Sequence, residues 1–246
     1  MQESGRILSE VMRGVLAHVE SGVSELKLDA LADRLIKEKG GEPGFKKVEG
    51  YRHTTCISTN EVVVHGIPTV YKLKEGDIIG IDCGVFYKGF HTDMSETVRV
   101  KSQIPNPKSQ NDKIDRFLKV GKQALEAGIR EAKVGNHVGD ISKAIQDIVE
   151  VQNGYSVVRS LVGHGVGRQL HEDPEVPGYL VGKIEKTPEL KEGMVIAIED
   201  IYSMGGPDLV FANNDGWTLK TKDGSLAGLF ERTLAITKSG PLILTP

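Results

Sequence analysis

The sequence predicts an α+β fold in which two similar halves share one central site. Three observations support this prediction: helical and strand-like patterns alternate twice along the chain, a segment starting at Leu73 recurs from Leu190, and the length of 246 residues is long for one ordinary domain but short for two. Because the repeat offset of 117 residues is close to half the length, we expect a single domain over 1–246, with half-repeats at about 1–105 and 106–246.

The first half begins with two predicted helices, because apolar residues recur there at three-to-four spacing. The first helix covers 7–19, and the second covers 28–36 and ends at the glycine pair 40–41. The polar segment 101–112 contains two prolines and is the predicted connector between the halves. Glycine and proline separate the short β-type runs of this half, which are 54–58, 62–65, 78–83 and 96–100.

The second half repeats this order of helices and strands. Helical spacing covers 114–129 and 138–149, and Gly154 follows the second helix. Six of ten positions are identical between 73–82 and 190–199, so we predict a duplicated unit of two helices and a β-sheet. The β-type runs of this half are 156–161, 194–201, 217–221 and 229–236.

Composition and charge exclude several classes of protein. The chain is 39% hydrophobic and 26% charged with a net charge of −3, which is typical of a globular protein and disfavours a general binder of nucleic acid or anionic membranes. Two cysteines are too few for a disulfide scaffold. Neither a membrane-spanning run nor a signal-peptide core is visible, so we expect a cytoplasmic protein. The metalloprotease HExxH, P-loop, dinucleotide-binding and Gly-x-Ser-x-Gly motifs are absent from the sequence.

The repeated apolar runs end in carboxylates that we expect to approach each other. A continuous apolar run is typical of a buried strand, and an acid at its end is costly to bury unless it is paired, hydrogen-bonded or bound to metal. Asp82 and Glu199 end the two runs. A predicted hairpin returns Asp93 beside Asp82, and a longer excursion returns Glu231 beside Glu199. Because convergent carboxylates repel each other, a bound cation would stabilise the four acids.

Three of the seven histidines lie where a ligand could approach them. His65 ends the run 62–65, His164 lies among glycines, and His171 follows seven residues later. One histidine with four acids is an oxygen-rich ligand set, which suits two hard or borderline ions such as Mn, Fe or Co better than a lone zinc. Two ions about 3.5–4 Å apart are a recurring hydrolytic device. We assign no role to the other histidines, which are His18, His53, His91 and His137.

At this point the motifs, taken in order, resemble a known family, the type I (bacterial-type) methionine aminopeptidases. The resemblance covers nearly the whole chain and implies the pita-bread fold, in which two related αβ halves surround a dimetal site. The segments that carry it are CISTNEVVVHGIP at 56–68, GFHTD at 89–93, GHGVGR at 163–168, HEDP at 171–174 and DGWTLKTKD at 215–223, together with the pair Ile81 and Asp82.

The resemblance implies two divalent metal ions, Mn, Fe or Co, with Zn as a further candidate. Asp93 and Glu231 are implied to bridge the two ions. Asp82 is implied to bind one ion, and His164 and Glu199 to bind the other.

The resemblance also implies a catalytic role for three residues. His65 and His171 would contact the peptide at the scissile bond, and His171 would stabilise the developing oxyanion. Glu199 would serve as general base. The methionine pocket is implied to include Tyr51, Cys56 and Trp217.

The activity implied is removal of the N-terminal methionine from nascent proteins and peptides by a metal-activated water. The partner is then the N-terminal Met of the polypeptide, which such an enzyme would meet near the ribosome exit region. We expect a monomer with no membrane partner and no specific nucleic-acid partner.

Four positions depart from the usual pattern of the family. Asp200 follows Glu199 at a position where the family usually has proline, and Arg232 follows Glu231 where the family usually has histidine. Val48 and Leu170 occupy positions where aromatic residues usually border the methionine pocket. One alternative is an Xaa-Pro aminopeptidase or prolidase, which usually carries an additional N-terminal domain. The other is a non-catalytic pita-bread protein that binds peptides, which would be expected to have lost a metal ligand.

Overall fold

The computed structural model describes residues 1–100 and 113–246, and the predicted connector at 101–112 lies outside them. The helices are α1 (Gln2–Leu16), α2 (Glu25–Glu38), α3 (Lys113–Glu131) and α4 (Val138–Gln146), the last continued by a π-helix (Asp147–Gln152). The strands before the connector are β1 (Glu42–Pro43), β2 (Thr55–Thr59), β3 (Val62–Val64), β4 (Ile78–Tyr87) and β5 (Phe90–Arg99). Those after it are β6 (Ser156–Val157), β7 (Gly163–Gly165), β8 (Glu172–Val176), β9 (Val195–Ser203), β10 (Leu209–Phe211), β11 (Leu219–Thr221), β12 (Ala227–Thr237) and β13 (Gly240–Ile243).

Strands from both parts of the chain form one ten-stranded sheet. Its main order is β1-β4-β5-β12-β9-β7-β8, with β2 paired to β4, β6 to β9 and β13 to β12. The strands from before the connector meet those from after it where β5 pairs with β12. A second sheet of three strands, in the order β10-β11-β3, also combines both parts of the chain.

The helices cover one face of the large sheet, and this fixes which side chains reach the other face. Ile81 and Cys83 of β4 belong to the apolar core that includes residues of α1 and α2. Ile198 and Tyr202 of β9 belong to the core that includes residues of α3 and α4. Because side chains alternate along a strand, Asp82, between Ile81 and Cys83, and Glu199, next to Ile198, point to the face away from the helices.

The structure confirms the predicted order of helices and corrects several strands. The run predicted at 156–161 is a strand only to Val157, and Arg159 beyond it pairs with Glu150 at 2.6 Å. β7 and β8 were not predicted, since glycines and charged residues are poor strand formers. No helix in the described ranges is long and apolar enough to cross a membrane.

Candidate metal centre

The predicted acids lie on neighbouring strands of the large sheet. Glu199 of β9 lies directly opposite Glu231 of β12, as predicted. Ser95 of β5 lies opposite Glu231 on one side and opposite Asp82 of β4 on the other. Opposed residues share a face of the sheet, so Asp82, Glu231 and Glu199 project from one row.

The fourth acid is displaced from this row by two residues. The predicted hairpin does return Asp93 beside Asp82, and the register of β4 and β5 sets Asp93 opposite Gly84, two residues along from Asp82. A shift of two residues keeps the same face, so Asp93 still points toward the other acids. His164 lies opposite Ala197, two residues before Glu199, and reaches this face from β7.

Three of the five predicted ligands already form a compact group. Asp93, His164 and Glu231 each offer a ligand atom, and these atoms lie within 4.8 Å of one another. Asp82 and Glu199 line the adjoining cavity, so their exposed parts face the site. One carboxylate oxygen of Asp82, Oδ1, is buried and has no hydrogen-bond partner among the described residues.

The electrostatics of the acids indicate what would stabilise them. Burial raises the pKa of Asp93 to about 7, and burial with the neighbouring charge of Asp93 raises the pKa of Glu199 to about 8. The pKa values of Asp82 and Glu231 are raised well above the usual range by burial and by repulsion from the other acids. The donors, four carboxylates and one imidazole with an unpartnered oxygen among them, fit divalent metal ions.

A hydrogen bond to the local backbone orients the ring of His164 so that one nitrogen could bind a metal ion. Its Nδ1 donates to the carbonyl oxygen of Gly165 at 2.9 Å, which leaves Nε2 as the acceptor. Burial and the nearby His171 lower the pKa of His164 to about 4, so the ring is neutral. The glycines beside it leave room for neighbouring strands: a Cβ at Gly163 would lie 2.5 Å from the carbonyl oxygen of Ala197. The glycine-rich motif therefore allows β7 to pack closely beside β9.

A cavity of about 320 Å³ adjoins the acids, and both predicted catalytic histidines line it. His65 follows β3 with a positive φ of 54°, and His171 stands with its ring centre 4.4 Å from that of His164. Burial and the charge of His171 lower the pKa of His65, and partial burial lowers that of His171. Both rings are therefore neutral hydrogen-bonding groups near neutral pH.

The three residues predicted to line a methionine pocket lie together in the wall of the cavity. The rings of Tyr51 and Trp217 meet edge-on with their centres 5.0 Å apart, and Cys56 is buried beside them. Tyr51 is fixed by a hydrogen bond from its hydroxyl to the carbonyl oxygen of Thr55, at 2.8 Å. Trp217 is fixed by Asp215, which accepts from its backbone amide at 2.8 Å.

Sequence reasoning missed Phe45 as part of this pocket. Phe45 lines the cavity with Val48 and Leu170, two of the positions that depart from the family pattern. Its ring packs over Gly84, where a Cβ would lie 2.8 Å from the ring. The signal in the sequence was Gly84 itself, which follows Asp82 by two residues within a strand.

The other two departures lie on the face toward the helices. Asp200 is 0% exposed, and neither carboxylate oxygen has a hydrogen-bond partner among the described residues. Arg232 donates to the carbonyl oxygens of Ser95 and Glu231, at 3.0 and 2.7 Å, and pairs with Glu96 at 2.7 Å. Neither departure lines the cavity.

Comparisons with known proteins agree over the full length of the chain. The sequence profile of metallopeptidase family M24 matches residues 1–238. Methionine aminopeptidase 1 of Bacillus subtilis is 44% identical over 245 residues, which span 100% of this chain and 94% of that protein. The methionine aminopeptidase of Clostridium perfringens is 41% identical over 245 residues, with the same coverage.

A solved structure extends this agreement to the fold. The crystal structure of methionine aminopeptidase from Rickettsia prowazekii matches with a TM-score of 0.92 at 34% identity, and the match covers 100% of this chain and 95% of that one. The arrangement of helices and strands is thus the pita-bread fold of these enzymes. The chain therefore belongs to metallopeptidase family M24 and, within it, to the methionine aminopeptidases, which remove N-terminal methionine.

Proposed function

We propose that the chain hydrolyses the first peptide bond of proteins and peptides that begin with methionine, with two divalent ions as cofactors. The observation that carries this proposal is the position of the acids: they border a cavity that is also lined by an apolar group with Tyr51 and Trp217, and Cys56 of this group lies opposite Asp82 in the sheet. A substrate that contacts this apolar group with its first side chain would have its first peptide bond beside the acids.

The five donors would hold the ions: Asp82, Asp93, His164, Glu199 and Glu231. We propose Mn, Fe or Co, with Zn as a further candidate, because the donors are mainly carboxylates. When bound, such ions act as Lewis acids and lower the pKa of water. The free α-amino group would bind on the side of Asp82, which restricts cleavage to the first bond.

Glu199 is the proposed general base. Its carboxylate lines the cavity among the other proposed ligands, where an attacking water would also lie. Glu199 would accept a proton from the attacking water and pass it toward the leaving amine.

The two cavity histidines would act on the peptide group. His171 would donate an N–H to the carbonyl oxygen and stabilise the negative charge that develops there. His65 would contact the scissile amide. It directly follows β3, which lies in the three-stranded sheet and pairs there with β11, the strand shortly after Trp217. The lowered pKa of His65 keeps its ring neutral and able to both donate and accept.

The pocket chemistry fits a methionine side chain. Tyr51, Trp217 and the buried thiol of Cys56 provide polarizable surfaces, which interact well with a thioether. The apolar side chains of Phe45 and Leu170 complete the lining of this pocket. We further propose that the chain works as a cytoplasmic monomer on chains leaving the ribosome. Light scattering at micromolar concentration checks the monomer.

A substrate comparison tests the proposal. Met-Ala-Ser, Ala-Ala-Ser and Ala-Pro-Ala are incubated with chelator-treated protein, with and without added Mn²⁺, Fe²⁺ or Co²⁺, and free amino acids are measured. We expect metal-dependent release of Met from the first peptide, and little Ala from the matched second peptide because it leaves the pocket unfilled. Absence of metal-dependent Met release would refute the proposal. Preferential cleavage of Ala-Pro-Ala would indicate a prolidase.

A further inference from the structure

The backbone pairing between β5 and β12, the two strands that join the halves of the sheet, is short. Among the described residues, only two pairs are in register there: Ser95 with Glu231, and Met94 with Arg232. By contrast, the pairing of β4 with β5 runs from Ile78 to Tyr87. Two metal ligands, Asp93 and Glu231, lie on these joining strands. Side-chain hydrogen bonds at the two ends of this short pairing can therefore add to the contact between the halves beside the site.

Two threonine hydroxyls extend this pairing, one at each end. Continuing the register places Thr233 opposite Asp93 and Thr97 opposite Leu229. The Thr233 hydroxyl accepts from the amide of Asp93 at 2.9 Å and donates to its carbonyl oxygen at 2.8 Å. The Thr97 hydroxyl makes the same two bonds to Leu229, at 2.9 and 2.8 Å. Each hydroxyl therefore satisfies both backbone groups of the opposite residue, as a neighbouring strand otherwise would.

The two threonines occupy equivalent positions in the repeat. Ser95 lies opposite Asp82, and Glu231 lies opposite Glu199, the acid that corresponds to Asp82 in the second half. Thr97 and Thr233 each follow these opposed residues by two positions. Both are almost completely buried, at 1% and 0% exposed.

What the two threonines hold is different. Thr97 holds Leu229, an apolar residue of the cavity wall, whereas Thr233 holds Asp93, a proposed bridging ligand. The carboxylate of Asp93 is oriented further by the amide of Met94, which donates to Oδ1 at 3.0 Å. Thr233 is itself anchored, since its amide donates to the hydroxyl of Thr245 at 2.9 Å.

We propose that Thr233 is a positioning residue for the metal centre: its hydroxyl fixes the backbone of Asp93, so that the carboxylate points where both ions need it. This inference rests on the proposed two-metal function. Valine at 233 has the same shape but no hydroxyl, so it would leave the buried N–H and C=O of Asp93 without partners. Groups that orient metal ligands typically contribute about 10–100-fold to metal affinity. Thr97→Val removes an equivalent pair of bonds from a residue that binds no metal.

The experiment compares the full-length wild type with T233V, T97V and T233S. Each chelator-treated protein is titrated with Mn²⁺ by calorimetry, and its free energy of unfolding without metal is measured in urea. We expect T233V and T97V to lose similar stability, T233V to bind Mn²⁺ about 10–100-fold more weakly, and T97V and T233S to stay within about threefold of the wild type. T233S keeps the hydroxyl and tests the inference even if T233V does not fold.

If the wild type binds Mn²⁺ and releases Met, three results would overturn this inference and leave the proposed function intact. The first is an unchanged affinity in T233V, the second is an equal loss in T233V and T97V, and the third is a large loss in T233S. A wild type that binds no Mn²⁺ would overturn the proposed function and this inference with it.

Discussion

Replacing Asp200 with valine is expected to stabilise the protein. The carboxylate is fully buried on the face of β9 that packs against α3 and α4, between the core residues Ile198 and Tyr202, and the part of the chain that the structure describes offers it no hydrogen-bond partner. A buried polar group without a partner costs about 1–3 kcal/mol, and valine is close in size to aspartate and suits a strand. We expect Asp200→Val to gain about 2 kcal/mol, or about 4–8 °C in Tm for a chain of this length.

The gain should also depend on pH. Burial raises the pKa of Asp200, so the native state keeps a proton that the unfolded chain releases above about pH 4. The unfolded state then binds fewer protons than the native state, and this group makes the wild type less stable as pH rises, by up to about 1.4 kcal/mol per pH unit. Valine has no proton to lose, so its advantage over the wild type should grow as pH rises.

Urea unfolding of chelator-treated wild type, Asp200→Val and Asp200→Asn at pH 5, 6 and 7 measures both effects. The difference between variant and wild type cancels the contribution of the acids in the site. Asparagine is the control: it removes the titration but leaves a buried polar group unpaired, so its gain should be smaller than that of valine at every pH. A valine variant less stable than the wild type, or an equal gain at pH 5 and pH 7, would refute the reasoning.

Three further predictions concern the site. Asp93→Asn removes a charged ligand, so calorimetry should show Mn²⁺ affinity falling at least about tenfold and Met release should be lost; full activity would remove Asp93 from the site. His171→Ala removes the proposed donor to the oxyanion and should lower kcat about 10²–10³-fold with unchanged Mn²⁺ affinity; an unchanged kcat in steady-state assays would contradict that role. Trp217→Ala opens the pocket that Tyr51 borders and should lower kcat/KM for Met-Ala-Ser about tenfold or more, with little effect on Mn²⁺ affinity; an unaltered ratio would place methionine elsewhere.

The sequence predicted the parts of the site that depend on strand periodicity. Glu199 and Glu231 end or follow apolar runs, and their direct opposition in the sheet follows from pairing those runs. The exact offset of Asp93 could not be predicted, because the turn between β4 and β5 decides the register and its residues fit several turns. The duplication of the halves remains a prediction, drawn from the repeat and the order of elements.

Features that depend on packing between distant segments could not be predicted. Phe45 reaches the pocket only because Gly84, far along the chain, has no side chain. β7 is a strand because β8 and β9 enclose it, although Gly-His-Gly has low strand propensity. The roles of Thr97 and Thr233 require the register of β5 and β12, which no local pattern encodes.

The threonine bonds also bear on how the protein folds. They join residues 140 and 132 positions apart, whereas β4 and β5 form a local hairpin. Closing long loops costs more chain entropy, and contacts between distant residues slow folding. We therefore expect the hairpin to form early and the junction of β5 with β12 to form late. Before that step Asp82 and Asp93 are separated from the other three donors, so an intermediate would hold two incomplete ligand sets, each too small to retain an ion firmly.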